Sequence, residues 1–283
     1  MEDFDLKEWL STHSDASLLE KLRQAGVSNA YGVPLMALAE LGREWSRRSD
    51  WQPLADSMGT SYEERLLQAE LYGSAAKADK KTFEWLQRFV SGIDSTPLCD
   101  ATALACLFAV RQPDETLQFV SRMLPSEKPL TQRFAIMMLL DHYMTGDLLG
   151  ATLELYDTVR PHSEPAEEAL VKGYTAAFLN NPQRTHKALM QTSRPKEELA
   201  HLVRVLDAPL DQKISQDLVY TEILNQLPSV NRIARFPYDP LFFLALYYHN
   251  GLPLLGRIAN LINLSHKKML PLPGNRKTYG TQS

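Results

Sequence analysis

Pro129-Leu130-Thr131-Gln132-Arg133-Phe134-Ala135-Ile136-Met137-Met138-Leu139-Leu140 is the stretch on which the fold turns. Its apolar residues recur at three and four spacing, the mark of a helix with a buried face. Proline at the first turn presets φ and gives up no hydrogen bond the helix needs. Arg133 stands inside this otherwise apolar run, where a guanidinium is costly unless it is paired or used.

Working outward, the same pattern returns along the chain. Helices open near Ser61, Pro97, Pro129 and Pro165, and each is followed by a second, opening near Lys80, Pro113, Gly146 and Pro182. The second-helix starts lie 33, 33 and 36 residues apart. One helix pair cannot bury its apolar face alone, so pairs repeated at this period stack into a solenoid. Earlier, Leu18, Leu19, Leu22, Leu35, Leu38 and Leu41 read as amphipathic helices punctuated by Gly26, Gly32 and Pro34. No alternating strand pattern runs longer than a few residues, so the chain is expected to be all-α.

Thr96-Pro97-Leu98-Cys99-Asp100-Ala101-Thr102-Ala103-Leu104 repeats the oddity one unit earlier, with Asp100 in the place of Arg133. The two residues should project from equivalent turns onto one concave face, roughly 10 Å apart at helix-packing distance. Three readings stand at this point. They form a shared functional site, they form a salt bridge that only holds the stack, or Asp100 bonds backbone N–H groups near its own helix start.

Composition narrows the field. Apolar residues are 44% and charged residues 23% of 283, which suits a soluble globular chain. Cys99 and Cys106 are the only cysteines and read as packed thiols, as in a reducing cytosol. The acidic start, Met1 to Lys7, lacks a signal-peptide pattern, and no apolar run spans a membrane, so a cytoplasmic location is expected. The seven histidines show no metal spacing and there is no glycine-rich phosphate loop, so no metal and no cofactor is expected. The overall charge of −4 is uneven: residues 231–283 carry seven cations against Asp239, leaving −10 for the first 230. Such a balance argues against a general nucleic-acid binder and leaves room only for a local basic stripe.

Beyond Pro195 the repeat loosens. Glu197 to Leu206, Gln212 to Leu227, Pro240 to His249 and Leu254 to Leu264 read as helices, and residues 271–283 as a flexible tail. The apolar C-terminal helices, with Phe242 to Tyr248, read as core or, where partly exposed, as a surface for a protein partner or for self-association.

Several short motifs, in order, resemble the AlkD-type DNA alkylation repair proteins, which are alkylpurine DNA glycosylases built from HEAT-like repeats. These are Tyr31-Gly32-Val33-Pro34-Leu35-Met36-Ala37-Leu38, Ser61-Tyr62-Glu63-Glu64-Arg65-Leu66-Leu67-Gln68-Ala69, Leu98-Cys99-Asp100 and Thr131-Gln132-Arg133-Phe134-Ala135-Ile136. The resemblance implies a right-handed superhelical solenoid of HEAT-like antiparallel helix pairs over residues 1–206, with 207–270 as further irregular repeats or a cap. It also implies a duplex DNA partner and hydrolytic removal of N3- or N7-alkylated purines. On matching, the family's catalytic aspartate falls on Asp100 and its backbone-gripping arginine on Arg133. Its two cleft tryptophans fall on Thr96 and near Lys172.

Loss of both aromatic faces removes cation–π support of about 0.5–2 kcal/mol each from a cationic sugar. Lys172 there would repel a cation or grip a phosphate. The outcome is an active enzyme, a non-catalytic DNA-binding relative, or a protein-interaction scaffold. Lys77, Lys80 and Lys81, at a turn between repeat helices, read as a solvated turn or as phosphate contacts, and Arg184, Lys187, Arg194 and Lys196 as solvated charges or the lip of a DNA groove. The arginines Arg43, Arg47 and Arg48 read as helix-end cations or phosphate contacts. Trp9, Trp45, Trp51 and Trp85 read as core.

Overall fold

The computed structural model describes residues 4–74, 78–144 and 146–200. Thirteen helices and no strand occur among them: α1 (Leu6–Thr12), α2 (Ala16–Gln24), α3 (Leu35–Trp45), α4 (Trp51–Asp56), α5 (Tyr62–Ser74), α6 (Lys80–Ser91), α7 (Thr96–Ala105), α8 (Phe108–Arg111), α9 (Pro113–Met123), α10 (Pro129–Tyr143), α11 (Leu148–Thr158), α12 (Glu164–Asn180) and α13 (Pro182–Met190). The helix starts expected from the prolines hold to within two residues. The short α1, α4 and α8 were not legible, because four to seven residues are too few to display a period. The readings placed on residues 207–270, on 271–283 and on Lys77 lie outside the described residues.

The first member of each pair forms the inside of the stack. Helix α3 packs on α5, α5 on α7, α7 on α10 and α10 on α12. This explains their composition: in α10 every residue from Gln132 to Tyr143 is buried, so the helix is buried on all sides and shows no single apolar stripe. The second members α6 and α9 each bury one stripe and show the amphipathic pattern instead.

Helix ends are secured by local chemistry. Asp79 caps α6 in a capping box with Thr82. Ser61 and Glu64 hold each other at the start of α5, Ser61 Oγ accepting from the Glu64 N–H while the Glu64 carboxylate accepts from the Ser61 N–H and hydroxyl. Burial works against the Glu64 anion, but these bonds hold its carboxyl below the usual range. Glu63, fully buried next door, accepts the backbone N–H groups of Tyr31, Gly32 and Val33 at 2.9, 2.7 and 3.3 Å. That carboxylate fixes the entry to α3, and Gly32, at φ +82, passes within reach of the Asp15 carbonyl where a side chain would collide.

Buried polar side chains tie neighbouring helices through carbonyls. Tyr143 donates to Ala109 O, Tyr156 to Ile136 O, and Gln132 to Leu124 O and Arg160 O. His142 Nε2 meets Ala103 O at 2.8 Å. Trp45 is core; Trp9, Trp51 and Trp85 are half-buried and pack against it.

Candidate functional site

Asp100, Arg133 and Glu168 are each the fifth residue of their helix, in α7, α10 and α12. Because these three helices pack in sequence, equal positions become neighbours in space. Arg133 Nε and Nη2 donate to Asp100 Oδ1 and Oδ2 at 2.7 and 2.6 Å, a two-pronged guanidinium–carboxylate pair. Arg133 Nη1 donates to Glu168 Oε2 and to the Pro165 carbonyl, both at 2.8 Å. Glu168 Oε1 lies 3.1 Å from Lys172 Nζ, one turn along α12. Four alternating charges thus run in one line from α7 across α10 to α12.

The line is dry at its α7 and α10 members and wetter at its α12 end. The side chains of Arg133 and Asp100 are 0% and 2% exposed, that of Lys172 is 12% exposed and that of Glu168 is 44% exposed. Burial alone would lower the Arg133 pKa, but Asp100 and then Glu168 hold it well above its ordinary value, so the guanidinium stays charged. Burial likewise works against the Glu168 anion. Lys172 and Arg133 outweigh it and hold the carboxyl below the usual range.

This geometry corrects the expected separation of Asp100 and Arg133. They are in direct contact, because both side chains lean into the α7–α10 seam instead of projecting in parallel from it. Both oxygens of Asp100 are taken by Arg133. The expectation that Arg133 grips DNA meets the same burial: all of its donors point into the protein. Thr96 opens α7 one turn before Asp100 and is half-buried. Lys172 is in the array, with its ammonium drawn onto Glu168.

The remaining candidates are carried by other elements. Lys80 and Lys81 open α6, a second member; Lys80 is 90% exposed and faces Glu84 at 3.6 Å. Arg184 and Lys187, also on a second member, are exposed on α13, and Arg184 donates to the Gly146 carbonyl. Arg194 is not a groove residue. It is buried, donates to Tyr156 O and Val159 O, pairs with Glu198 and lies over the Tyr174 ring, because its guanidinium closes the end of α11. Arg48 pairs with Asp50 at 2.7 Å. A cleft of about 60 Å³ at the starts of α5 and α7, lined by Ser28, Asn29, Tyr62, Arg65 and Ser95 among others, has room for a few waters.

Sequence reasoning missed Glu168. Its signal was the spacing: 33 residues separate Asp100 from Arg133 and 35 separate Arg133 from Glu168, one repeat each. It went unread because α12 opens with several glutamates, Glu164, Glu167 and Glu168, and nothing local singles out the third.

No curated protein and no solved structure matches this chain. A family model, that of the DNA alkylation repair enzymes, matches residues 6–190, which takes in every helix from α1 to α13 and the whole array. No helix among the described residues is long and apolar enough to cross a membrane. A match over about two thirds of the chain, on a stack of paired helices, makes this protein a member of the DNA alkylation repair enzyme family, with a role in DNA repair.

Proposed function

We propose that the chain binds duplex DNA and hydrolyses the N-glycosidic bond of cationic N3- or N7-alkylated purines. The observation that carries this reading is the charge array at one turn of three successive helices. Arg133 and Asp100, buried inside an apolar stack, are expensive to desolvate, and replacing such a pair by apolar residues is often neutral or stabilising. A fold under selection for stability alone has little reason to keep them. A use for preorganised charge accounts for the cost.

The chemistry asked of the site is modest. An alkylated purine already carries positive charge and leaves readily, so a strong general acid is unnecessary. The need is for negative charge where the sugar becomes cationic and for a cation that meets the flanking phosphate. Arg133 and Asp100 supply a rigid charged base for the array, and Lys172 is the cation nearest its wet end. No step requires a metal or a cofactor.

A second reading has its own observation. Asp100 is 2% exposed with both oxygens occupied, and Thr96 and Lys172 stand where the resemblance puts tryptophans. That arrangement favours DNA binding without excision. Base release from N7- and N3-methylated duplex DNA, measured beside binding at several salt concentrations, separates the two. Release by the purified protein above the spontaneous rate supports the enzyme. Salt-dependent binding with no release supports the silent relative. Absence of both removes DNA as the partner and leaves a protein-interaction scaffold.

A further inference from the structure

We propose that Glu168 is the carboxylate this chain presents to the cationic sugar of its substrate, with Asp100 as a positioning residue that acts through Arg133. The inference rests on the excision reading above and assigns its central role to a different residue. Three features of the array carry it.

The first is access. A charge stabilises a developing cation only if the cation can approach it. Both carboxylates are paired through both oxygens, but Glu168 is 44% exposed at the α12 end of the array, whereas Asp100 is 2% exposed at the α7 end. The second is anchoring. An exposed glutamate on a helix surface ordinarily samples many rotamers, and a catalytic charge must be held still. Glu168 Oε2 is fixed at 2.8 Å by Arg133, whose own position is set by the two bonds to Asp100 and one to Pro165 O. The buried pair is thus the clamp, and Glu168 is what it holds. The third is the neighbouring ammonium. Lys172 would repel a sugar cation if it projected alone. Here it lies 3.1 Å from Glu168 Oε1 with its side chain 12% exposed, so its charge is held against the carboxylate rather than turned toward solvent and the sugar.

The step balances without a co-reactant other than water. The C1′–N bond breaks and its electron pair goes to the purine, cancelling the positive charge that alkylation placed there. The cation left at C1′ faces the Glu168 carboxylate. Water adds to C1′ and its proton leaves to solvent. Glu168, held ionised by two cations, acts as a charge and not as a base, so the rate should show no titration from about pH 5.5 to 8 that belongs to it.

The test compares affinity for duplex DNA containing a cationic pyrrolidine abasic-site analogue with affinity for the same duplex containing neutral tetrahydrofuran. Base release from N7-methylguanine duplex is measured in parallel. Wild type should prefer the cationic duplex by about tenfold or more, a difference of about 1.4 kcal/mol. Glu168→Gln should bring the preference to within about twofold and slow release by about tenfold, whereas Glu164→Gln, one turn earlier on α12, should change neither. Lys172→Met, which removes the competing ammonium, should leave the preference intact or increase it, and it serves should Glu168→Gln fold poorly. A Glu168→Gln protein that keeps the preference, or a Lys172→Met protein that loses it, overturns the assignment. Wild type that shows the preference and releases no base fails the excision reading while Glu168 stands as the cation-recognition residue. Wild type without the preference overturns the role of Glu168 whether or not it releases base.

Discussion

At the scale of single residues, the array shows how one position means different things in successive repeats. The fifth residue of α5 is Leu66, fully buried, and that of each later first member is Asp100, Arg133 and Glu168 in turn. Asp100 and Arg133 were legible because a charge in an apolar run breaks the pattern. Glu168 was not, because it sits among other charges. Glu70 on α5 is a separate case. It is 1% exposed, one of its oxygens has no hydrogen-bond partner, and burial pushes its pKa up to about 8, with Arg43 opposing the rise. In the unfolded chain it would titrate near the usual glutamate value, so between about pH 4.5 and 8 the folded state holds a proton that the unfolded state has released. The contribution of Glu70 to stability should therefore fall as pH rises through this window, by up to about 1.4 kcal/mol per unit. Urea denaturation between pH 5 and 8.5 should show that slope in wild type and lose most of it in Glu70→Gln. A wild type that is flat across the window would mean that Glu70 is paired or hydrated in solution.

At the scale of elements, close approach decides what the periodicity leaves open. Helix α5 meets the end of α7 at Gly73, where an added Cβ would lie 2.0 Å from the Ala105 carbonyl oxygen. Because the obstacle is backbone, it cannot swing aside. Gly73→Ala should raise the intrinsic helix propensity of α5 and yet destabilise the protein, by about 1–3 kcal/mol from overpacking. Thermal melting of the variant checks this, and a raised Tm would show that the α5–α7 seam relaxes. Nothing in Leu71-Tyr72-Gly73-Ser74 announces the contact, because the partner atom lies more than thirty residues away. Helix starts were more legible than contacts for the same reason. Prolines at the first turn and the Asp79–Thr82 box act within a few residues of themselves.

At the scale of the whole molecule, Arg133 links three repeats through one side chain, joining α10 to Asp100 of α7 and to Pro165 and Glu168 of α12. In stacked repeats each unit contacts mainly its neighbours, so such a bridge couples the units' unfolding. Arg133→Met leaves Asp100 buried and unpaired and should cost about 3–5 kcal/mol. Adding Asp100→Leu to it should restore most of the loss, since an apolar pair suits the same site. Urea unfolding of the single and double variants tests the coupling. A single variant that loses less than about 1 kcal/mol would show the bridge to be dispensable to the stack.

The all-α class, the pairing of helices at a regular period, the family, and the two residues whose charge is out of place were all readable along the chain. All of these rest on local signals: apolar spacing, proline at first turns, and short motifs in order. Tertiary structure alone decided that Asp100 and Arg133 touch and are buried, that Arg194 closes a helix end instead of lining a groove, and that Glu168 carries the array to solvent. Those facts depend on how far one helix slides and turns against the next, and a shift of one residue would send the same side chains elsewhere.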